Sequence, residues 1–265
     1  MELNADILEY YGRGKEASRL GEGVGRLEFW RTQEILRRVL PASRGRLLDV
    51  GGGCGAHASW LAADGWEVLL VDPVPSHVVV ASALPGVTAR VGDARALEFP
   101  DASADVVLLL GPLYHLPDPA DRQACLAEAT RVLRPGGTAV AATINRHAAL
   151  HDQLNRGGWF EPWRRARLSE TVATGVVRPG GDFTTAYLHH PAEIAAEMAA
   201  AGLTVTGQYS VQGAVGWMGN VDAYLDDEGK RAAVLDALRM IESDPALLGV
   251  SAHLLTAAVL PVPRC

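Results

Sequence analysis

Asp49 is followed by Gly51, Gly53 and Gly55 in the stretch LLDVGGGCGAH (47–57), with an apolar run before it and an amphipathic one after. Glycine lacks a Cβ, so it accepts positive φ and lets backbone N–H groups approach a ligand at the start of a helix. Gly51, Gly53 and Ala56 also satisfy the G-x-G-x-x-A spacing of dinucleotide-binding turns, so the turn alone leaves a nicotinamide dinucleotide open. Asp72 and Asp93 close the next two apolar runs. A ribose and an exocyclic amine each need a carboxylate there, although aspartates in such places also cap turns. Asp49, at the end of a buried run, can equally serve by accepting backbone hydrogen bonds.

Groups that could hold or move a proton follow. Tyr114 and His115 lie in LLLGPLYHLPDP (108–119), where a fourth apolar run ends. Imidazole titrates near neutral pH, so these two are candidates to orient or deprotonate an acceptor; a His115 packed under a cofactor is the other reading. Tyr187, His189 and His190 lie in FTTAYLHHP (183–191), and adjacent histidines point in different directions, so at most one faces a common site. Ser251 and His253 alternate onto one face of a final strand, where His253 is either a ligand to the acceptor or a satisfied core histidine. His147 and His151 have the i,i+4 spacing of a helical metal pair, yet no carboxylate motif accompanies them, so no metal is expected.

The elements that position these residues alternate. Leu27, Trp30, Ile35, Val39 and Leu40 form a helical stripe that Pro41 stops, and strands are expected at 46–50, 67–72, 87–91, 105–110 and 138–144. Helices at 57–63 and 76–83 separate the first three. Asp118 caps a further helix with Pro119 in its first turn, and Pro135, Gly136 and Gly137 end it. This order requires a doubly wound parallel sheet with helices on both faces, its ligands lying beyond the carboxyl ends of the strands. Residues 145–190 have weak periodicity and scattered aromatics, which reads as a lid. A helix from Pro191, strands at 203–211 and 253–260 and a helix at about 230–242 complete the chain.

With 265 residues and 48% hydrophobic content there is material for one domain, 1–265. A net charge of −7 disfavours a nucleic-acid partner, and the Arg164, Arg165, Arg167 cluster reads as a solvated helix face. Three widely spaced cysteines give neither a disulfide framework nor a thiolate zinc site, which fits a reducing cytoplasm. The N-terminal stretch lacks the apolar core of a leader and the apolar runs are strand-sized, so a soluble, unprocessed protein without membrane partners is expected, as monomer or homodimer.

Asp49 before the glycine turn (D-x-G-x-G-x-G), Asp72 ending the second strand, GDAR (92–95) after the third and VLRPGG (132–137) before the fifth together resemble the class I S-adenosylmethionine-dependent methyltransferases, well over 10–145 and more loosely beyond. The resemblance implies a Rossmann-like, seven-stranded, mostly parallel sheet with an antiparallel last strand. S-adenosyl-L-methionine would be the cofactor and S-adenosyl-L-homocysteine the product. Gly51, Gly53 and Gly55 would cradle its methionine and ribose, Asp49 would meet its ammonium end, Asp72 its ribose hydroxyls and Asp93 its adenine amine. Pro73, Ala94, Leu110 and Gly111 would line the same site. A segment at 1–25 would fold over the methionine, contributing Tyr11 and Arg19, the latter pairing with its carboxylate or simply exposed. Trp159, Phe183, Trp217 and His253 would meet the acceptor, and Tyr114, His115, Tyr187 and His189 are the candidates for catalysis.

GPLYHL itself is similar to a stretch in bacterial methyltransferases of natural-product pathways, which implies a small aromatic or apolar acceptor and metal-free in-line displacement. The Asn-Pro-Pro-Tyr-like motif of nucleobase and glutamine-amide methyltransferases is replaced here by Gly-Pro-Leu-Tyr, which counts against those substrates. An NAD-dependent oxidoreductase and a non-catalytic S-adenosylmethionine-binding protein are the competing readings.

Overall fold

Long apolar runs without polar alternation are strands buried on both sides, and they form the centre of this molecule. The computed structural model describes residues 5–12, 19–180 and 183–263. After α1 (Ala5–Gly12) and α2 (Gly23–Val39), the chain alternates β1 (Arg46–Val50), α3 (Ala56–Ala63), β2 (Glu67–Asp72), α4 (Pro75–Ser82), β3 (Val87–Val91), β4 (Ala104–Leu109), α5 (Pro119–Val132) and β5 (Leu133–Ile144). These five strands pair in parallel in the order β3-β2-β1-β4-β5.

Pleating sends neighbouring residues to opposite faces. Leu47, Val106, Leu108 and Val140 pack on Ile35 and Leu36 of α2 and Leu61 of α3, whereas Leu48, Val107, Leu109 and Ala139 pack on Leu126 of α5 and Ile194 from further along the chain. As expected, the Asp118 carboxylate caps α5, accepting from the Ala120 N–H at 2.9 Å. The strand order reverses between β1 and β4, and a doubly wound sheet opens a crevice at that point. The loops that follow these two strands abut: a Cβ on Gly111 would lie 3.0 Å from the Gly51 carbonyl oxygen.

The segment 145–190 is more regular than its periodicity suggests. It holds α6 (Ala148–Asn155), α7 (Pro162–Thr174) and a small antiparallel ribbon of β6 (Val176–Val177) with β7 (Ala186–Tyr187). Its apolar stripe is thin because α7 buries only Leu168 and Thr171, the rest of its inner face bordering open space. Arg146 ties the segment down, donating from Nε to the Leu188 carbonyl at 2.7 Å and pairing with Glu193 at 2.8 Å.

α8 (Pro191–Ala200), β8 (Thr204–Ser210), α9 (Val221–Leu225), α10 (Glu228–Ile241) and β9 (His253–Val259) follow. β9 runs antiparallel between β5 and β8, completing a seven-stranded sheet. Because of that reversal the beginning of β9 pairs with the end of β5, His253 facing Ile144, and so joins the edge where the crevice lies.

Candidate active site

The turn after β1 takes the shape its glycines allow. Gly51, Gly53 and Gly55 have φ of 71°, 57° and 85°, a region that side chains with a Cβ rarely enter. A Cβ on Gly51 would also lie 2.8 Å from Cδ of Pro112 in the loop after β4. Around this turn is a cavity of about 520 Å³. Every residue expected to contact the cofactor lines it: Tyr11, Arg19, Asp49, the three glycines, Asp72, Pro73, Asp93, Ala94, Leu110 and Gly111. Of the segment 1–25, residues 1–4 and 13–18 lie outside the described residues; α1 contributes Ile7 and Tyr11 to the cavity wall.

The three carboxylates differ in how they are met. Asp72 accepts from the N–H groups of Gly53 and Val74, each at 2.9 Å, and its Oδ1 lies 3.1 Å from His77 Nδ1. Asp93 is gripped by the Arg95 guanidinium at 2.6–3.1 Å. Burial raises its pKa, but the Arg95 hydrogen bonds and charge outweigh that and hold it low. Asp49 has no hydrogen-bond partner at either oxygen among the described residues, though it is only 1% exposed. Burial, reinforced by the charge of Asp72, pushes its pKa up to about 7. An unmet buried carboxylate is costly, and a cationic ligand in the cavity would relieve it.

His115 and Tyr114 also line this cavity. The Tyr11 hydroxyl is 2.6 Å from His115 Nε2, and His115 Nδ1 is 3.4 Å from the Thr185 carbonyl. Since a carbonyl only accepts, Nδ1 carries the hydrogen and Nε2 receives the Tyr11 hydroxyl. Burial lowers the His115 pKa to about 4, so the ring is neutral and joins α1 to the start of β7. Nearby, Asp6 of α1 accepts from the Thr184 hydroxyl at 3.1 Å and from the N–H of Thr185 at 3.1 Å. Tyr114 turns its hydroxyl back to the Leu110 carbonyl at 3.3 Å.

A second cavity, of about 740 Å³, lies under α6 and α7 and is lined by Phe183, Trp217 and Trp163. Glu28 and His253 line both cavities, so the two meet there. The Arg164 and Arg167 side chains border the second cavity, where the sequence suggests a merely solvated face.

Other expectations are corrected. Tyr187 and His189 line neither cavity: His189 is fully buried with Nε2 3.3 Å from Glu197, and the Arg122 guanidinium stacks 3.8 Å from the Tyr187 ring. Trp159 also lines neither cavity and lies against Arg165. His151 packs its ring on Trp217 instead of joining His147, and among the described residues no cluster of histidine, cysteine or carboxylate side chains could hold a metal. Missed altogether were Glu28, Phe29 and Thr32 of α2, a helix that contacts β9, and Gln212 after β8; all line a cavity. Arg19 pairs with Glu28 at 2.9 Å while lining the cavity.

Residues 48–141 match the methyltransferase domain family. Over 121 residues the chain is 38% identical to an uncharacterised methyltransferase of Mycobacterium bovis, covering 44% of this chain and 48% of that one, so it spans about half the length of the first curated relatives it matches. It is 32% identical to a ubiquinone biosynthesis O-methyltransferase of Xylella fastidiosa, covering 53% of this chain and 74% of the relative. The crystal structure of the PH0226 protein of Pyrococcus horikoshii shares the fold with a TM-score of 0.63 at 19% identity, over 95% of this chain and 98% of that one.

Proposed function

We propose, because this chain belongs to the S-adenosylmethionine-dependent methyltransferase family, that it transfers a methyl group to a small, largely apolar organic acceptor held under residues 145–190. The family's cofactor is S-adenosylmethionine, which supplies a methyl group already activated on a sulfonium and is spent as S-adenosylhomocysteine. The cavity around the glycine turn fits it, for the orphaned Asp49 carboxylate suits an ammonium group and the bare glycines leave room for a close ligand. Asp72 and Asp93 stand where a ribose and an adenine amine would be held.

The observation that carries the reading is the meeting of a glycine-walled cavity that holds Asp49, Asp72 and Asp93 with a tryptophan-lined one at Glu28 and His253. In that arrangement the work of the protein is placement. Phe183, Trp217 and Trp163 hold a flat or apolar body and keep water away, and orientation of two reactants can contribute several kcal/mol. His115 holds α1 and the chain before β7 together over the cofactor cavity, and Tyr114 shapes the wall beside it. The Xylella relative's name, O-methylation in ubiquinone biosynthesis, accords with a hydroxyl-bearing apolar acceptor.

Calorimetry tests the reading. S-adenosylhomocysteine should release heat on binding and NADH should not; the reverse outcome returns the protein to the oxidoreductases. Binding without turnover across a broad acceptor set would leave a non-catalytic S-adenosylmethionine-binding protein.

A further inference from the structure

Arg156, Arg164, Arg167 and Arg178 border the second cavity and take no part in the wall of the first. Two of these charges are matched on the spot, at the solvent rim. Arg156 pairs with Asp152 at 2.8 Å and Arg178 with Glu170 at 2.6 Å, both arginines lying mostly in solvent. The cavity's remaining carboxylate, Glu28, stands at the junction, where Arg19 engages it at 2.9 Å.

Arg167 is met differently. Its Nη2 donates to the backbone carbonyls of Arg178 and Pro179, at 2.8 and 2.9 Å. Among the described residues no carboxylate pairs with this guanidinium, and Nε and Nη1 have no protein partner. Two carbonyl dipoles fix the direction of a guanidinium without neutralising it, and they leave its other donors for a further acceptor. The helix aims the same side chain. Arg164, Arg167, Leu168 and Thr171 follow the spacing of one helical face, and all four line the cavity. Leu168 and Thr171 are buried, so the face that presents the charge presents apolar surface with it.

We infer that Arg167 makes the second cavity selective for an amphiphilic acceptor, an apolar body that bears a carboxylate at the end remote from the methylated atom. This names the substrate class of the site proposed above and rests on that reading. The methyl group arrives from the cavity around the glycine turn, so the reacting atom lies at the junction with Glu28 and His253, whereas Arg167 borders the second cavity alone. No charge is therefore set beside Glu28. A guanidinium offers donors at the spacing of the two carboxylate oxygens, and about 740 Å³ leaves room for a body of phenylalkyl size. A bound carboxylate would match the charge of Arg167 as Asp152 and Glu170 match those of Arg156 and Arg178.

Calorimetry on the full chain saturated with S-adenosylhomocysteine tests this with 4-phenylbutyrate, 4-phenylbutan-1-ol and 4-phenylbutylamine, which share a body and differ in the terminal group. The carboxylate should bind about tenfold tighter than the alcohol, the scale of a charge-assisted hydrogen bond, and the amine weakest. Arg167→Gln should weaken the carboxylate about tenfold and leave the alcohol within about twofold. Arg167→Lys keeps the charge without the fork and should retain part of the preference. An arginine with only a structural role would move acid and alcohol together. Equal affinity for acid and alcohol in the unaltered protein overturns the inference, as does a preference that survives Arg167→Gln or a failure of all three to bind. Should Arg167→Gln not fold, the unaltered protein and Arg167→Lys decide. No heat with S-adenosylhomocysteine would instead strike the methyltransferase reading, and the same comparison on the ligand-free protein still decides whether the cavity selects a carboxylate.

Discussion

The two cavities are built in opposite ways. Around the glycine turn, the carboxylates sit at the ends of adjacent strands, and Asp72 and Asp93 are held by groups within a few residues or on the neighbouring turn. Under α6 and α7, the wall comes from side chains far apart in sequence, from Val24 to His253, and its Trp163 and Met218 remain half exposed. The carboxylate end of the first is set by turns at strand ends, although Tyr11, Phe29 and His253 close its far wall; the second depends throughout on side-chain packing.

Substitutions should therefore separate donor binding from acceptor binding. The largest effect is expected at Asp49: Asp49→Asn should weaken S-adenosylhomocysteine binding about 100-fold, the scale of losing one partner of a buried charge pair, measured by calorimetry. The same carboxylate gives a stability signature. Its folded pKa of about 7 lies above its ordinary value of 3.8, so the ligand-free fold holds the proton better than the unfolded chain does. Its contribution to stability accordingly falls as pH rises through that window, and thermal melts of Asp49→Asn should lack that decline.

Smaller effects should fall on the second cavity and on the packing that encloses the first. Trp217→Ala should raise the acceptor KM roughly 30-fold, as expected for truncating a packed aromatic anchor, and leave S-adenosylhomocysteine affinity within about twofold. His115→Ala should slow turnover about tenfold through the loss of its two hydrogen bonds, with cofactor affinity nearly intact. A fall in cofactor affinity matching that at Asp49 would erase the distinction between the two cavities. Unchanged turnover would remove His115 from the working site.

The sequence displays the first region far better than the second, for a physical reason. β1, β2 and β4 are largely buried, so their runs of Leu and Val are conspicuous, and the carboxylates at the ends of β1 and β2, Asp49 and Asp72, follow directly. The glycine turn needs positive φ, which leaves its mark in residue type. By contrast α7 buries only two residues against the protein, too few for a clear helical period. Tyr187 at the end of β7 and His189 just beyond it pack on Arg122 and Glu197, contacts with other elements that no local spacing reveals. Gln212 and Glu28 are 184 positions apart, and only the antiparallel insertion of β9 brings them to one place.

The carboxylate of Asp6 has a consequence for traffic. Because it bonds both Thr184 and Thr185, the helix that walls the glycine-turn cavity also anchors the chain beside Phe183, which walls the second cavity. A displacement of α1 would therefore break that anchor and disturb the walls of both cavities together.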